Sequence, residues 1–273
     1  MESAAQHEPS CPLAAVHRRL EDLHQQRHQA EAAYFHPDRF RLAIQTAIQT
    51  VRTVTFILQK QKKVIPDFET WYGAWQKGLK ANRLMSWMVD ARNKIEKEGD
   101  LEASSFIRAS IVASYLDEGP MVQVPARLSD APLRLIKSIP ANDLGDHIRN
   151  HGMLRVERRW VENTLPDFEL LDAVAIAYGR LVELLSDAHC QMGLEAMSTL
   201  DASTGQRLDE GGRGGRLPCM VGHADRRSLH FSLTTGEPVE LEQKREKFDL
   251  KSAKQAAERY EMKAGDFGPE GGE

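Results

Sequence analysis

The stretch LMSWMVDARNKIEKEGDLEASSFIRASIVASYL, Leu84 to Leu116, decides the fold class, because the hydrophobic period changes inside it. Leu84, Met88, Ala91 and Ile95 recur at the spacing of one face of an amphipathic helix. Gly99 then suits the left-handed conformation that closes a helix. Past Asp100 the run SFIRASIVASYL is rich in β-branched and aromatic residues and predicts a strand, returning through a turn at Asp117 to Pro120 into MVQVPARL as a hairpin.

Upstream of this switch the pattern is helical throughout. Leu13, Val16, Leu20 and Leu23 mark a first helix to about Tyr34, with Glu, Gln, Arg and His on its other face. Pro37 and Asp38 suit the first turn of a second, whose stripe runs through Phe40, Ile44, Ile48, Val51 and Leu58. After a break at Lys62, Lys63 and Pro66, a shorter helix carries Phe68, Trp71, Tyr72 and Trp75. Residues 1–12 read as a loose N-terminus and 13–100 as a helical bundle.

Downstream the elements are mixed. Residues 101–165 hold the hairpin and a further strand-like run, MLRVERRWV, and Pro166 and Asp167 open a long helix over 166–197. Residues 198–216, with GGRGG at Gly211 to Gly215, have loop composition. LPCMVG, SLHFSL and EPVELE read as short strands of a small β region that ends in a terminal helix, 217–262, before a disordered tail, 263–273. The expected fold is therefore α+β: an N-terminal bundle with an attached hairpin, then one long helix and short antiparallel strands.

At 273 residues, 41% hydrophobic and 28% charged, the chain is long enough to bury a sizeable core. A net charge of -4 excludes a global positive field, so any nucleic-acid contact is local. No signal peptide and no bilayer-length apolar run is visible, and three scattered cysteines fit a reducing compartment. The expectation is a soluble cytoplasmic protein away from membranes.

The segment ARNKIEKEGDL, with Arg92 and Asn93 near the end of its helix, resembles the signature of HEPN domains, helical nucleotide-binding and RNA-cleaving modules. That signature is an Arg, a polar residue and, after a short gap, a His. Lys97 stands where the His would fall, and lysine is a poor proton shuttle near neutral pH. Over the first hundred or so residues the resemblance implies a non-catalytic, dimerising domain that engages RNA, a nucleotide or a toxin–antitoxin type partner. Arg92 equally suits an intrahelical ion pair with Asn93 helping to end the helix. A competing reading is an interaction module whose Trp71, Trp75 and Trp87 are core and whose hairpin is a docking edge.

Arg155, Arg158 and Arg159 beside Trp160 could neutralise and stack on a single strand, or merely guard a sheet edge. His189 adjoins Cys190, Cys219 precedes His223 by four positions, and His147 and His151 are four apart, but without a Cys-x-x-Cys pair no metal is assigned. GGRGG lacks the Lys-Ser or Lys-Thr of a phosphate loop. No Gly-x-Ser-x-Gly elbow occurs, and no cofactor is predicted.

Overall fold

A computed structural model describes residues 11–112, 136–137, 145–194, 215–220 and 227–239. The chain divides into two units, Met1–Pro238 and Val239–Glu273, and the helices and strands below all belong to the first.

Four helices follow one another: α1 (Ala14–Ala32), α2 (Pro37–Lys60), α3 (Phe68–Ala81) and α4 (Arg83–Glu98). Local signals set the start of α2 and both ends of α4. Pro37 sits in the first turn of α2, where its missing N–H costs nothing. Asn82 caps α4 by accepting from the Met85 N–H at 3.1 Å, and Gly99 closes it at φ 87°, a conformation costly to any residue with a Cβ.

The strand expected after Asp100 is β1 (Ala103–Val112). Its partner is β2 (Met153–Glu162), antiparallel from Ala103 opposite Glu162 to Val112 opposite Met153. The turn at 117–120 and the returning run lie outside the described residues. β3 (Ser228–Ser232) pairs antiparallel with the first half of β2, giving the order β1-β2-β3. A short helix, α5 (Asp146–His151), is bracketed by Gly145 and Gly152 rather than broken by them. The strand expected over LPCMVG is corrected: Pro218–Met220 is a 3-10 turn, because Pro218 offers no N–H to a ladder and its fixed φ suits a turn.

The long helix, α6 (Leu170–Gln191), lies in the same core as the first four. Leu170, Leu181, Leu184 and Leu185 are fully buried against residues such as Leu20, Leu23, Ile48 and Leu58. Burial of a leucine side chain contributes roughly 1.5–3 kcal/mol, so these contacts dominate the local energetics. Trp71 and Trp75 of α3 both donate their indole N–H to Asp187 of α6, at 2.8 and 2.6 Å.

Two tryptophans join the sheet to the helices. Trp160 of β2 stacks on Phe40 with ring centres 4.6 Å apart and donates to the Tyr34 carbonyl at 2.9 Å. Trp87 of α4 donates to Thr164 Oγ1 at 2.9 Å and to Glu162 Oε2 at 3.3 Å. A smaller apolar cluster of Ala109, Ile111, Leu154, Val156 and Leu233 lies on the sheet itself. No described helix is long and apolar enough to cross a membrane.

Candidate functional site

Arg92, Asn93 and Lys97 are brought together by the helix but not by a cleft. Arg92 Nε lies 2.9 Å from Glu96 Oε1, and Arg92 Nη1 donates to Asn93 Oδ1 at 2.8 Å. Its guanidinium also rests 5.7 Å from the centre of the Phe56 ring. Lys97 is exposed. A smaller cavity nearby, about 370 Å³, is lined by Arg52, Tyr72, Met88 and Asp90, and not by Arg92.

The second set behaves differently. A cleft of about 720 Å³ opens between β1, β2 and the start of α6, and its lining includes Phe106, Arg158, Arg159, Glu169, Arg216 and Arg227. Arg158 is only 6% exposed. Phe35 and Trp160 cover its guanidinium, with ring centres 5.8 and 5.1 Å away. Those rings satisfy the flat face of the cation. Its in-plane donors Nε and Nη1 have no hydrogen-bond partner among the described residues, and burial holds its pKa below the ordinary arginine range.

Most of the carboxylates that line this cleft are held within 3 Å by an arginine, two of them by one outside the lining. Glu157 pairs with Arg155 at 2.6 Å, Asp167 with Arg83 at 2.8 Å, and Asp172 with both amino groups of Arg227 at 2.9 and 2.6 Å. Arg159 donates to the Pro166 carbonyl at 3.2 Å.

Glu169 is the exception. It is the N-cap of α6, accepting from Leu171 N at 2.8 Å and Asp172 N at 3.3 Å. Burial, only partly offset by Arg227 at 3.6 Å, raises its pKa to about 7. The Tyr34 hydroxyl donates to the Arg158 carbonyl at 2.7 Å while Glu169 Oε1 lies 3.2 Å from the same oxygen. One phenolic proton cannot serve both, so that second contact is made well when Glu169 carries a proton. A neutral Glu169 leaves the cleft more positive.

The cysteines and histidines assemble in pairs that the chain order conceals. His189 does not work with its neighbour Cys190, which is exposed; it meets His17 of α1, Nε2 to Nε2 at 3.0 Å, with Cys11 Sγ at 3.5 Å. Cys219 meets α1 as well: His24 Nε2 is 3.2 Å from its Sγ, and His28 Nε2 is 3.0 Å from His24 Nε2. His223 and the His147 side chain lie outside the described residues. Although burial pushes the Cys219 thiol up, hydrogen bonds from His24 and His28 outweigh it and bring the thiol down to about 6. Bonds to Cys219 and then Glu31 raise His28 to about 9.

This cluster depends on a close backbone approach. Gly215 has φ 69°, and a Cβ there would sit 2.6 Å from the Gly179 carbonyl of α6. The missing side chain lets residues 215–220 pass against the helix, and Arg27 then fastens the segment by donating to the Cys219 carbonyl at 3.3 Å. Sequence reasoning passed over His17, His24 and His28, although their spacing of seven and four on one helix was a visible signal. Nothing local marked Tyr34, Glu169 or Arg227 as neighbours.

Comparison with known proteins adds a lineage. Over 170 residues the chain is 37% identical to protein ea47 of Escherichia phage lambda, an alignment covering 60% of this chain and 40% of that protein. The chain therefore matches well under half the length of that relative. No solved structure matches it. The family model described as bacteriophage lambda protein ea47 matches residues 5–273. The chain belongs to the bacteriophage lambda ea47 family.

Proposed function

We propose that this protein binds a phosphate-bearing ligand of the nucleotide class in the cleft around Arg158. The supporting observation is an arginine in the cleft lining, only 6% exposed, whose buried donors Nε and Nη1 have no partner among the described residues. A buried charge without an acceptor is costly, and a phosphate oxygen is the acceptor whose geometry fits an arginine fork. The volume lies within the range of small-ligand pockets, and Phe106, 61% exposed on the rim, offers a ring on which a base can stack.

The ligand class is the one the HEPN resemblance implies, but Arg158 rather than Arg92 makes the contact, because Arg92 is engaged by Glu96 and Asn93. Binding of a nucleoside monophosphate and of a short oligouridylate to the whole protein, followed by calorimetry, tests this. Saturable binding that Arg158→Met lowers at least tenfold is expected. Identical isotherms for the two proteins would remove the reading. Preference for the mononucleotide assigns a nucleotide pocket, and preference for the oligomer assigns an RNA groove.

A further inference from the structure

We infer that His24, His28 and Cys219 form a binding site for a divalent ion of the zinc class. A ring nitrogen of each histidine and Sγ of the cysteine lie within 4.8 Å of one another, contributed by two successive turns of α1 and by the 3-10 turn at Pro218–Met220. Imidazole and thiolate are donors that favour zinc over harder cations such as magnesium or calcium.

The distances are close to those a metal needs. A tetrahedral ion with bonds of about 2.0–2.1 Å to nitrogen and 2.3 Å to sulfur holds its donors roughly 3.3–3.6 Å apart. The observed separations are 3.0 Å between the histidines and 3.2 Å from His24 to sulfur. Opening by a few tenths of an ångström, within the freedom of half-buried side chains, admits the ion.

A second observation points the same way. The far nitrogen of His28, Nδ1, lies 3.1 Å from Glu31 Oε2, so a carboxylate orients the imidazole and leaves Nε2 directed at the cluster. That carboxylate–histidine arrangement is the usual outer support of zinc ligands. Arg27 holds the Cys219 carbonyl, fixing the cysteine from its backbone side. Among the described residues three protein donors are present, and their half-burial leaves the fourth tetrahedral position accessible to water or a further ligand.

Cys11, His17 and His189 repeat the composition nearer the start of α1. His17 and His189 are buried, however, and a closed structural site asks for a fourth protein ligand that the described residues do not supply. This group serves as the internal control.

Zinc competition against a chromophoric chelator, with metal content measured by mass spectrometry, tests the site on the full chain. Wild-type protein is expected to bind zinc, Cys219→Ser and His28→Gln to lose one equivalent, and Cys11→Ser to keep it. Equal zinc content and affinity in wild type and Cys219→Ser would overturn the assignment. Should those variants misfold by circular dichroism, Glu31→Gln keeps every ligand and is expected to weaken zinc by roughly 10–100-fold. Unchanged affinity in Glu31→Gln overturns it equally.

Discussion

His24 Nε2 and Cys219 Sγ lie 3.2 Å apart although 195 residues separate them along the chain. The contact exists because α1 packs on α6 and because a glycine lets the 215–220 segment run close against that helix. Its integrity therefore reports on backbone fit as well as on side chains.

Gly215→Ala places a Cβ 2.6 Å from the Gly179 carbonyl in a conformation already unfavourable for alanine. The left-handed backbone alone costs about 1 kcal/mol, and the contact adds to it. A loss of stability of about 1–3 kcal/mol in urea melts is expected, together with faster alkylation of Cys219 as the segment lifts. A melt superimposable on wild type would show that the close approach is not required.

Arg158→Met is expected to separate stability from binding. Methionine fills the space between Phe35 and Trp160 without leaving two buried donors unpaired, so thermal unfolding should hold or rise by about 1 kcal/mol while nucleotide binding falls. A marked destabilisation would mean that stacking on the two rings is what the arginine contributes.

Glu169 makes stability depend on pH with a definite sign. Its folded-state pKa of about 7 lies above the unfolded value near 4.5, so between those limits the folded chain holds the proton more tightly. This group therefore supports folding below about pH 4.5 and loses that contribution as pH rises through 7. Glu169→Gln, which keeps an acceptor for Leu171 N, should flatten the stability profile over this window. The same protonation should tighten binding of a phosphodiester, whose own charge is constant there, as pH falls from 8 to 6.

Arg92→Ala tests the HEPN-like reading from the other side. An exposed-edge pair four residues apart is worth about 0.3–0.5 kcal/mol, so stability should fall only by that order, and nucleotide affinity should stay at the wild-type value. A large loss of affinity would return the contact to the end of α4.

Asp187 accepts two indole N–H groups, from Trp71 and Trp75. Asp187→Ala should cost about 2 kcal/mol and shift tryptophan fluorescence to the red, because hydrogen bonds to a charged acceptor in a half-buried place exceed neutral ones. An unshifted spectrum would imply that α3 docks by apolar contact alone.

Element type was largely legible in order of residues. The stripe of α2, the Gly99 cap of α4, the β-branched run of β1 and the apolar face of α6 are each set by neighbours within a few positions, since helix and strand periods are local properties. The arginines of β2 and two of the cysteines were visible as chemistry, but not their roles. Pairing of β1 with β2, the burial of Arg158 under Trp160, and the meeting of α1 histidines with Cys11, His189 and Cys219 came only with the tertiary structure. Contacts across a hundred or more residues follow from how apolar faces pack, which consecutive spacing does not encode. For this chain the residues determined which helices and strands form, and packing decided which of their polar groups share a site.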